Sequence, residues 1–212
     1  EHQKDVDVIE APRSTGSILK PYLYAAMLND GYILPQTLVP DVPTQISGYS
    51  PQNFNLTYDG AVPASRALAR SLNIPSVLML QDYSVNQFYE KLQQLKLRNV
   101  NRQPSNYGLS LILGGAESNL WDLCKAYAYM SSTLTYFNQN DSKYRKNEML
   151  NLNYDADFQP DFGSSSRQKN IFGAGAIWQT FNAMKEVNRP EGDEAWKFYD
   201  SSLEIAWKTG SS

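Results

Sequence analysis

The sequence predicts a helix-rich α/β (α+β) fold with an incomplete antiparallel sheet built from the two chain termini. Helical hydrophobic patterns outnumber strand patterns along the 212 residues, and the two strand patterns lie at opposite ends of the chain. Hydrophobic residues form 42% of the sequence and aromatic residues 12%, which is enough to bury a core. We therefore expect helices that flank a small sheet to which both ends of the chain contribute.

The N-terminal part predicts one strand, one helix and a long loop. Residues 4–9 alternate in hydrophobicity, as in a short strand, and residues 18–30 carry apolar side chains at helical spacing. Gly31 follows this run and is a candidate C-terminal cap of the helix. Residues 32–62 are rich in proline, glycine, serine and asparagine, which predicts a long ordered loop.

The central part predicts three helices. Residues 64–73 indicate a short helix that ends at Asn73, and residues 86–97 indicate an amphipathic helix. Ser118 is a candidate N-cap of a stronger helix. The residues expected on the buried face of that helix are Leu120, Leu123, Cys124, Tyr127 and Met130.

The C-terminal part predicts a surface insertion, a helix and a strand. Residues 138–170 are polar with few apolar anchors, so we expect a mobile surface insertion. A helix is expected over residues 174–187. Every second residue of 203–207 is a large apolar one, which predicts a half-buried strand with Lys208 on the opposite face.

Composition excludes several classes of function. The net charge of −3 and the thin spread of 19 basic residues disfavour a nucleic-acid-binding or polybasic membrane surface. A single cysteine excludes an intrachain disulfide, and a single histidine excludes a histidine-rich metal site, so neither metal nor cofactor is expected. Cys124 is expected in the core. His2 is the single histidine and is expected in solvent, which disfavours a Ser-His-Asp triad.

Two segments place a hydroxyl and an amine three residues apart, Ser17 with Lys20 and Ser166 with Lys169. Residues i and i+3 share a helix face with Cβ atoms about 5–6 Å apart, so the amine can act as the base for the serine. Ser17 lies where a helix begins, and the free N–H groups there stabilise developing negative charge. A capping serine with a surface lysine is the alternative interpretation.

Three more short patterns carry candidate chemistry. Ser71–Asn73 and Ser84–Asn86 each offer a hydroxyl and an amide, although such a pair is also typical of a cap or a turn. Lys208-Thr209-Gly210 occurs once, and a glycine in a strand allows a bound ligand to approach the backbone closely.

In chain order, these patterns resemble the motif triplet of penicillin-binding proteins and active-site-serine β-lactamases. The flanking sequences are similar to those of class A, bifunctional penicillin-binding proteins, and AWKTG is close to their 1C subgroup. These segments are RSTGSILKPYLYAAML (13–28), ASRALARSLNIPSV (64–77), GGAESNLWDLCKAYAYM (114–130) and IAWKTGSS (205–212). The flanks favour Ser17 over Ser166 and Ser71 over Ser84.

The resemblance implies a penicillin-binding protein transpeptidase or β-lactamase-like fold and D-alanyl-D-alanine transpeptidation of peptidoglycan stem peptides. Ser17 would form the acyl-enzyme, Lys20 would act as its base and Ser71 would relay a proton to the leaving amine. β-Lactams would acylate the same serine. The residues implied in substrate binding are Asn73, Lys208, Thr209, Gly210 and Ser211, and the backbone N–H groups of Ser17 and Ser211 would form the oxyanion hole.

Two alternatives share the triplet. A class A β-lactamase also needs a glutamate that activates the deacylating water. Glu148 imitates that element, but it lies in the polar tract 77 residues after Ser71 (148 − 71). A non-catalytic domain that senses β-lactams is the other alternative, and acyl transfer between stem-peptide mimics would exclude it.

The resemblance also predicts the organisation of the parent protein. Residues 1–212 would be a transpeptidase domain fragment truncated at both ends, with a glycosyltransferase domain and a membrane anchor outside it. The expected partners are a stem peptide ending in D-Ala-D-Ala, an acceptor stem-peptide amine and β-lactam antibiotics, and not nucleic acid. The expected location is the cell envelope, on the periplasmic side of the cytoplasmic membrane.

Overall fold

The computed structural model describes residues 9–46, 48–146, 164–186 and 205–210. These residues are mostly helical, with a short 3-10 helix at Gly108–Leu113. The helices are α1 (Lys20–Asn29), α2 (Ala64–Ala69), α3 (Asn73–Tyr83), α4 (Val85–Gln94), α5 (Pro104–Tyr107), α6 (Leu120–Gln139) and α7 (Ala174–Lys185). The strands are β1 (Arg13–Ser14), β2 (Leu38–Asp41), β3 (Gly60–Pro63), β4 (Glu117–Ser118), β5 (Tyr144–Arg145) and β6 (Ser165–Ser166).

Helix α1 forms the centre of the core. Its first eight residues, from Lys20 to Met27, are all buried, so helices pack around it on every side. The predicted end at Gly31 is confirmed, because this glycine has a φ of 79° and lies in a turn that closes the helix with two hydrogen bonds. Its N–H donates to the Leu28 carbonyl at 3.4 Å, and the Tyr32 N–H donates to the Met27 carbonyl at 2.9 Å.

The segment predicted as a long loop contains an antiparallel hairpin, so that part of the prediction is wrong. Strands β2 and β3 pair over four residues, from Leu38 opposite Pro63 to Asp41 opposite Gly60. A proline in each strand weakens the local strand signal, since proline cannot donate to a ladder. Pairing with the partner strand, rather than local pattern, defines this hairpin.

The predicted helix over 64–73 is two helices. α2 ends at Ala69, and α3 starts at Asn73, the residue that was expected to end the first helix. Pro75 is the third residue of α3, where a missing N–H costs little because that position has no intrahelical acceptor. Proline therefore marks the start of a helix here and not the end of one.

Helix α6 forms as predicted, but its cap and its buried face differ from the prediction. Asn119 caps the helix by accepting a hydrogen bond from the Asp122 N–H at 2.7 Å, while Ser118 pairs with Arg13 in the β1–β4 ladder. Leu120 is 51% exposed and Cys124 is also exposed, so neither belongs to the core. The buried residues of the helix are Asp122, Ala126, Tyr129, Met130 and Thr133.

The amphipathic helix predicted over 86–97 is confirmed as α4, in which Phe88 and Leu92 are buried. The helix predicted over 174–187 is confirmed as α7, with Ile177 and Met184 buried. None of the described helices is both long enough and apolar enough to span a bilayer.

The last described segment, residues 205–210, forms no strand, and its exposure does not alternate as predicted. Ile205 is 57% exposed, whereas Ala206 packs against the main core. The Trp207 N–H donates to the Met184 carbonyl at 3.4 Å, so the end of α7 rather than a neighbouring strand holds this segment. Most of the strand predicted at 4–9, and Leu203, lie outside the described residues.

The antiparallel ladders among the described residues are three two-stranded pairs, β1–β4, β2–β3 and β5–β6. The α+β, helix-rich class is thus confirmed. The β5–β6 pair closes the base of the polar tract, where Tyr144 lies opposite Ser166. Residues 147–163 of that tract lie outside the described residues, and its interpretation as a mobile insertion stays a prediction.

Candidate active site

Three chain segments meet around Ser71. The start of α1 contributes Lys20, the connection between α2 and α3 contributes Ser71, and the last described segment contributes Lys208. The Lys20 Nζ donates to the Ser71 carbonyl at 2.8 Å and lies 3.5 Å from its hydroxyl. The Lys208 Nζ donates to the same hydroxyl at 2.6 Å. The structure therefore brings together residues from all three motifs singled out in the sequence.

Lys20 is a buried lysine without a carboxylate partner among the described residues, with only 1% of its surface exposed. Its Nζ is surrounded by oxygen atoms of the α2–α3 connection. The two nearest are Asn73 Oδ1 at 2.7 Å and the Ser71 carbonyl at 2.8 Å. The Leu72 carbonyl follows at 3.3 Å. A neutral amine has two N–H donors, which these two nearest acceptors can satisfy.

Burial lowers the pKa of both lysines, and like charge adds to this effect at Lys20. Desolvation holds the pKa of Lys20 well below the usual value of 10.5, and the charge of Lys208 lowers it further. Burial lowers the pKa of Lys208 to about 8. Lys20 therefore loses its proton at a lower pH than an ordinary lysine, while Lys208 keeps its ammonium below about pH 8.

The backbone of Ser71 is held in the left-handed region, with a φ of 55°. It occupies the position after the C-cap of α2, where its N–H donates to the Leu68 carbonyl at 3.0 Å and the Leu72 N–H donates to the Ala67 carbonyl at 3.0 Å. Glycine is usual at this position, and an L-residue there costs about 1–2 kcal/mol. The same turn directs the carbonyl and hydroxyl of Ser71 towards Lys20.

Asn73 is the first residue of α3 and contacts the lysine through its side-chain oxygen. Its Nδ2 donates to the Gln52 carbonyl at 2.8 Å, and its backbone N–H donates to Asn53 Oδ1 at 3.0 Å. Asn53 in turn donates to buried Asp41. Sequence reasoning missed Asn53 and Asp41, because isolated polar residues in a proline-rich loop have no periodic signal that marks them as buried.

Ser17 lies in the turn before α1 and is half-buried. The Ile18 N–H donates to the Thr15 carbonyl at 3.0 Å, and the Lys20 N–H donates to the Ser17 carbonyl at 3.2 Å. The Tyr127 hydroxyl donates to the Ile18 carbonyl at 3.1 Å and so fixes this turn from α6. Within the described part of the chain, neither the hydroxyl nor the backbone N–H of Ser17 makes a hydrogen bond.

The third motif of the triplet, Lys208-Thr209-Gly210 followed by Ser211, is described only as far as Gly210. Besides Ser71, Lys208 Nζ contacts the Thr209 carbonyl at 2.9 Å and its hydroxyl at 3.3 Å. A Cβ at Gly210 would lie 2.8 Å from Ile18 Cγ1, so this glycine permits contact with the turn that carries Ser17. The sequence suggested close approach of a ligand instead. Ser211 lies outside the described residues.

The competing patterns have other roles or fall outside the described residues. Ser84 caps α4 by accepting a hydrogen bond from the Gln87 N–H at 3.2 Å. Ser166 lies in β6 and accepts a hydrogen bond from the Gln168 N–H at 3.0 Å. Glu148 and His2 lie outside the described residues.

Sequence comparisons match most of the chain to one family. A sequence model of the penicillin binding protein transpeptidase domain matches residues 3–212. Penicillin-binding protein 1C of Escherichia coli is 34% identical over 98% of this chain and 24% of its own length. Penicillin-binding protein 1B of Vibrio cholerae is 29% identical over 97% of this chain and 26% of its own length. The chain spans about a quarter of the length of these curated relatives.

Solved structures agree on the fold. A peptidoglycan glycosyltransferase from Burkholderia ambifaria matches with a TM-score of 0.64 at 13% identity, over 89% of this chain and 60% of that one. The TP domain of Burkholderia pseudomallei penicillin-binding protein 3 matches with a TM-score of 0.62 at 14% identity, over 87% of this chain and 56% of that one. At these identities the likeness concerns the fold alone.

Proposed function

The chain belongs to the penicillin-binding protein transpeptidase family, and we propose that it forms the acyl-enzyme of a peptidoglycan D,D-transpeptidase on Ser17. The observation that carries this proposal is the meeting of Lys20 and Lys208 on the single hydroxyl of Ser71. Two lysines of lowered pKa joined through a hydroxyl can move a proton between a nucleophile and a leaving group at neutral pH.

Lys20 is the proposed base for Ser17. With its two N–H donors on Asn73 Oδ1 and the Ser71 carbonyl, the neutral amine has its lone pair left for a proton. Ser17 Oγ attacks the carbonyl carbon of the penultimate D-Ala, and its proton passes to Lys20 Nζ. In the proposed mechanism the distance between Ser17 Oγ and Lys20 Nζ shortens on substrate binding, since catalytic hydrogen bonds are often incomplete in free enzymes.

Ser71 is the proposed relay to the leaving group. Its hydroxyl accepts a hydrogen bond from the Lys208 ammonium, so its own proton is available for the terminal D-Ala nitrogen. As the C–N bond breaks, Ser71 gives its proton to that nitrogen and is reprotonated from Lys20. The acyl group then passes to an acceptor stem-peptide amine, and Ser17 is regenerated.

The remaining roles concern binding and charge stabilisation. Lys208 and the Thr209 hydroxyl, together with Ser211, are proposed to bind the substrate carboxylate. Asn73 is proposed to hold the substrate amide. Gly210 allows the third motif to pass close to the turn that carries Ser17. The backbone N–H groups of Ser17 and Ser211 are proposed as the oxyanion hole, where loss of one donor costs about 10²–10³ in rate.

The same proposal covers the setting of the reaction. We propose that residues 1–212 are transpeptidase domain, with 138–170 as a surface insertion. The proposed substrates are stem peptides ending in D-Ala-D-Ala, and the proposed inhibitors are β-lactams. The proposed location is the cell envelope, on the periplasmic side of the cytoplasmic membrane.

Labelling with a penicillin followed by intact-mass measurement tests the nucleophile. We expect one covalent adduct on the chain and none on the Ser17→Ala variant. The matched control is Ser166→Ala, which removes the serine of the other serine-two-lysine pattern and is expected to label like the unmodified chain. An adduct that persists in Ser17→Ala would contradict the proposal.

The fate of the adduct distinguishes transpeptidase from the alternatives. We expect a long-lived adduct with a β-lactam and acyl transfer between stem-peptide mimics. Rapid β-lactam turnover would instead indicate a β-lactamase. An adduct without any acyl transfer would indicate a β-lactam-sensing domain.

A further inference from the structure

The α2–α3 connection is held in place by a buried polar cluster that does not touch the lysines. Asp41, the last residue of β2, is fully buried, with an exposed fraction of 0%. Its Oδ1 accepts a hydrogen bond from Asn53 Nδ2 at 2.7 Å, and its Oδ2 accepts one from the Asp59 N–H at 3.0 Å. The carboxylate thus joins the β2–β3 hairpin to two points of the loop between its strands.

Asn53 connects this carboxylate to the start of α3. Its Oδ1 accepts hydrogen bonds from the Asn73 N–H at 3.0 Å and the Ile74 N–H at 3.3 Å. The residue at the N-cap position of α3 is Leu72, which has no side-chain oxygen to satisfy these donors. Asn53 therefore supplies the missing cap from another part of the chain.

A second arm reaches the other end of the connection. Asp59, whose N–H is held by Asp41, forms an ion pair with Arg70 through its carboxylate. Arg70 is the C-cap of α2 and directly precedes Ser71. Through Asn53 and Asp59, the two oxygens of Asp41 are therefore connected to both ends of the short segment in which Ser71 has its positive φ.

Resting on the function proposed above, we propose that Asp41 and Asn53 are positioning residues that hold the Ser71–Asn73 segment against Lys20. A backbone with a left-handed residue between two short helices relaxes unless its neighbours fix it. Without the Asn53 cap the first turn of α3 loosens, and Asn73 Oδ1 moves away from the Lys20 Nζ. Displacement of a catalytic group by about 1 Å can lower a rate by about 10²-fold.

The first test compares the acylation rates of Asn53→Ala and Asn55→Ala. Asn55 lies two residues further along the same loop, is exposed, and accepts a hydrogen bond only from the Thr57 N–H at 3.3 Å among the described contacts. We expect penicillin acylation to slow by about 10- to 100-fold in Asn53→Ala and to remain unchanged in Asn55→Ala. Rates are measured below the unfolding temperature of each variant.

A second test exchanges the amide of Asn53 and the carboxylate of Asp41, which leaves the volumes of both side chains nearly unchanged. Asn53→Asp alone places two carboxylates together in a buried site, and we expect slow acylation. Asn53→Asp combined with Asp41→Asn restores the acceptor for α3, the contact between the two side chains and the acceptor for the Asp59 N–H. The bond to the Thr57 carbonyl is replaced by a contact between two acceptors, because a carboxylate oxygen then faces that carbonyl. We therefore expect the double variant to acylate faster than Asn53→Asp alone but more slowly than the unmodified chain.

The titration of Lys20 distinguishes a positioning role of Asn53 from a loss of protein stability. It also does not depend on whether the proposed reaction takes place. Lysine labelled with ¹³C at Cε allows the titration of Lys20 to be followed by NMR, with Lys20→Arg to assign the signal. Lys208 is the charged group that faces it among the described residues. In Asn53→Ala we expect the midpoint to move to lower pH, because the ammonium loses Asn73 Oδ1 as an acceptor.

The outcomes are distinct. If the unmodified chain is not acylated, the proposed function fails, while the Lys20 titration still decides the positioning role. An unchanged Lys20 midpoint in folded Asn53→Ala, or a midpoint that rises, overturns the inference. So does a double variant that is folded and as slow as Asn53→Asp alone.

Discussion

At the scale of single residues, the site contains two lysines whose surroundings lower their pKa values by different means. Lys20 is almost fully buried and has only neutral acceptors around it, so its pKa is well below the usual value. Lys208 is half-buried, and its pKa is lowered to about 8. Their contacts with Ser71 place one lysine on either side of a single hydroxyl. The roles proposed for them, Lys20 as base and Lys208 as cation, therefore rest on the environment of each lysine rather than on the residue type.

This arrangement predicts a bell-shaped pH dependence of β-lactam acylation. The rate rises as Lys20 loses its proton, which its lowered pKa places below the range of ordinary lysines. It falls as Lys208 is neutralised above about pH 8, because the ligand carboxylate and Ser71 then lose their cation. The measurement is the second-order acylation rate with a penicillin between pH 5 and pH 10, a range of about five units around these pKa values.

The control for this prediction is Lys208→Arg. Arginine stays charged throughout the range, so the alkaline limb is expected to disappear even if the lower rate reflects its different shape. A rate in the unmodified chain that continues to rise up to pH 10 would contradict the assignment of Lys208 as the cation.

At the scale of secondary-structure elements, the junction between α2 and α3 decides where Ser71 points. α2 ends in a reverse turn that needs a left-handed residue, and a serine occupies that position with a φ of 55°. The β2–β3 hairpin supports the same junction through Asp41 and Asn53. Two short helices and a hairpin thus act together to present one hydroxyl and one carbonyl to Lys20.

The cost of the strained serine can be measured by comparing Ser71→Ala with Ser71→Gly. Both variants lose the hydroxyl, but only alanine keeps a Cβ in the left-handed region. We expect the glycine variant to have an unfolding free energy about 1 kcal/mol higher than the alanine variant. Denaturant unfolding gives this difference, and both variants should lose nearly all acylation.

An alanine variant that is more stable than the glycine variant by about 0.4–1 kcal/mol would show that the junction carries no backbone strain, since this is the difference that unfolded-chain entropy alone produces. Wild-type acylation in either variant would remove Ser71 from the proton relay. The two results are independent, since one concerns the backbone and the other the side chain.

At the scale of the whole molecule, the site is completed by residues from near the two ends of the chain. The backbone of Gly210 lies against Ile18, within the turn that carries Ser17. Trp207 bonds to the end of α7, and Ala206 packs on the main core. Contacts with the turn before α1 and with the end of α7, rather than a sheet ladder, therefore set the position of Lys208 among the described residues.

Gly210→Ala is predicted to slow acylation by about tenfold, because its Cβ would lie 2.8 Å from Ile18 Cγ1 and displace the segment that carries Lys208. Ile18→Ala in the same chain removes the clash and is expected to restore part of the rate. The measurement is a double-mutant cycle on the acylation rate. A suitable control is Gly175→Ala in α7, where a Cβ meets no atom within 4 Å.

An unchanged rate in Gly210→Ala would mean that the third motif does not depend on contact with the Ser17 turn. Loss of activity in the control would mean that substitutions of glycine disturb the fold generally. Only slowing at position 210 that Ile18→Ala relieves supports the packing argument.

The sequence by itself determined the helix-rich class, the helices α1, α4 and α7, and the motif residues Ser17, Lys20, Ser71 and Lys208. Helical periodicity and short motifs are local, so they can be detected without knowing which segments are neighbours. The terminal segment shows the limit of this reasoning, since alternation at 203–207 predicted a strand that residues 205–210 do not form.

Only the tertiary structure decided that Lys20 and Lys208 share one hydroxyl, that the α2–α3 junction is strained, and that Asp41 and Asn53 support it. It also replaced Ser118 by Asn119 as the cap of α6. The shared hydroxyl and the support from Asp41 and Asn53 depend on contacts between residues far apart in the chain. The burial of a single polar side chain, and the hydrogen bonds that burial then requires, have no periodic pattern in the sequence.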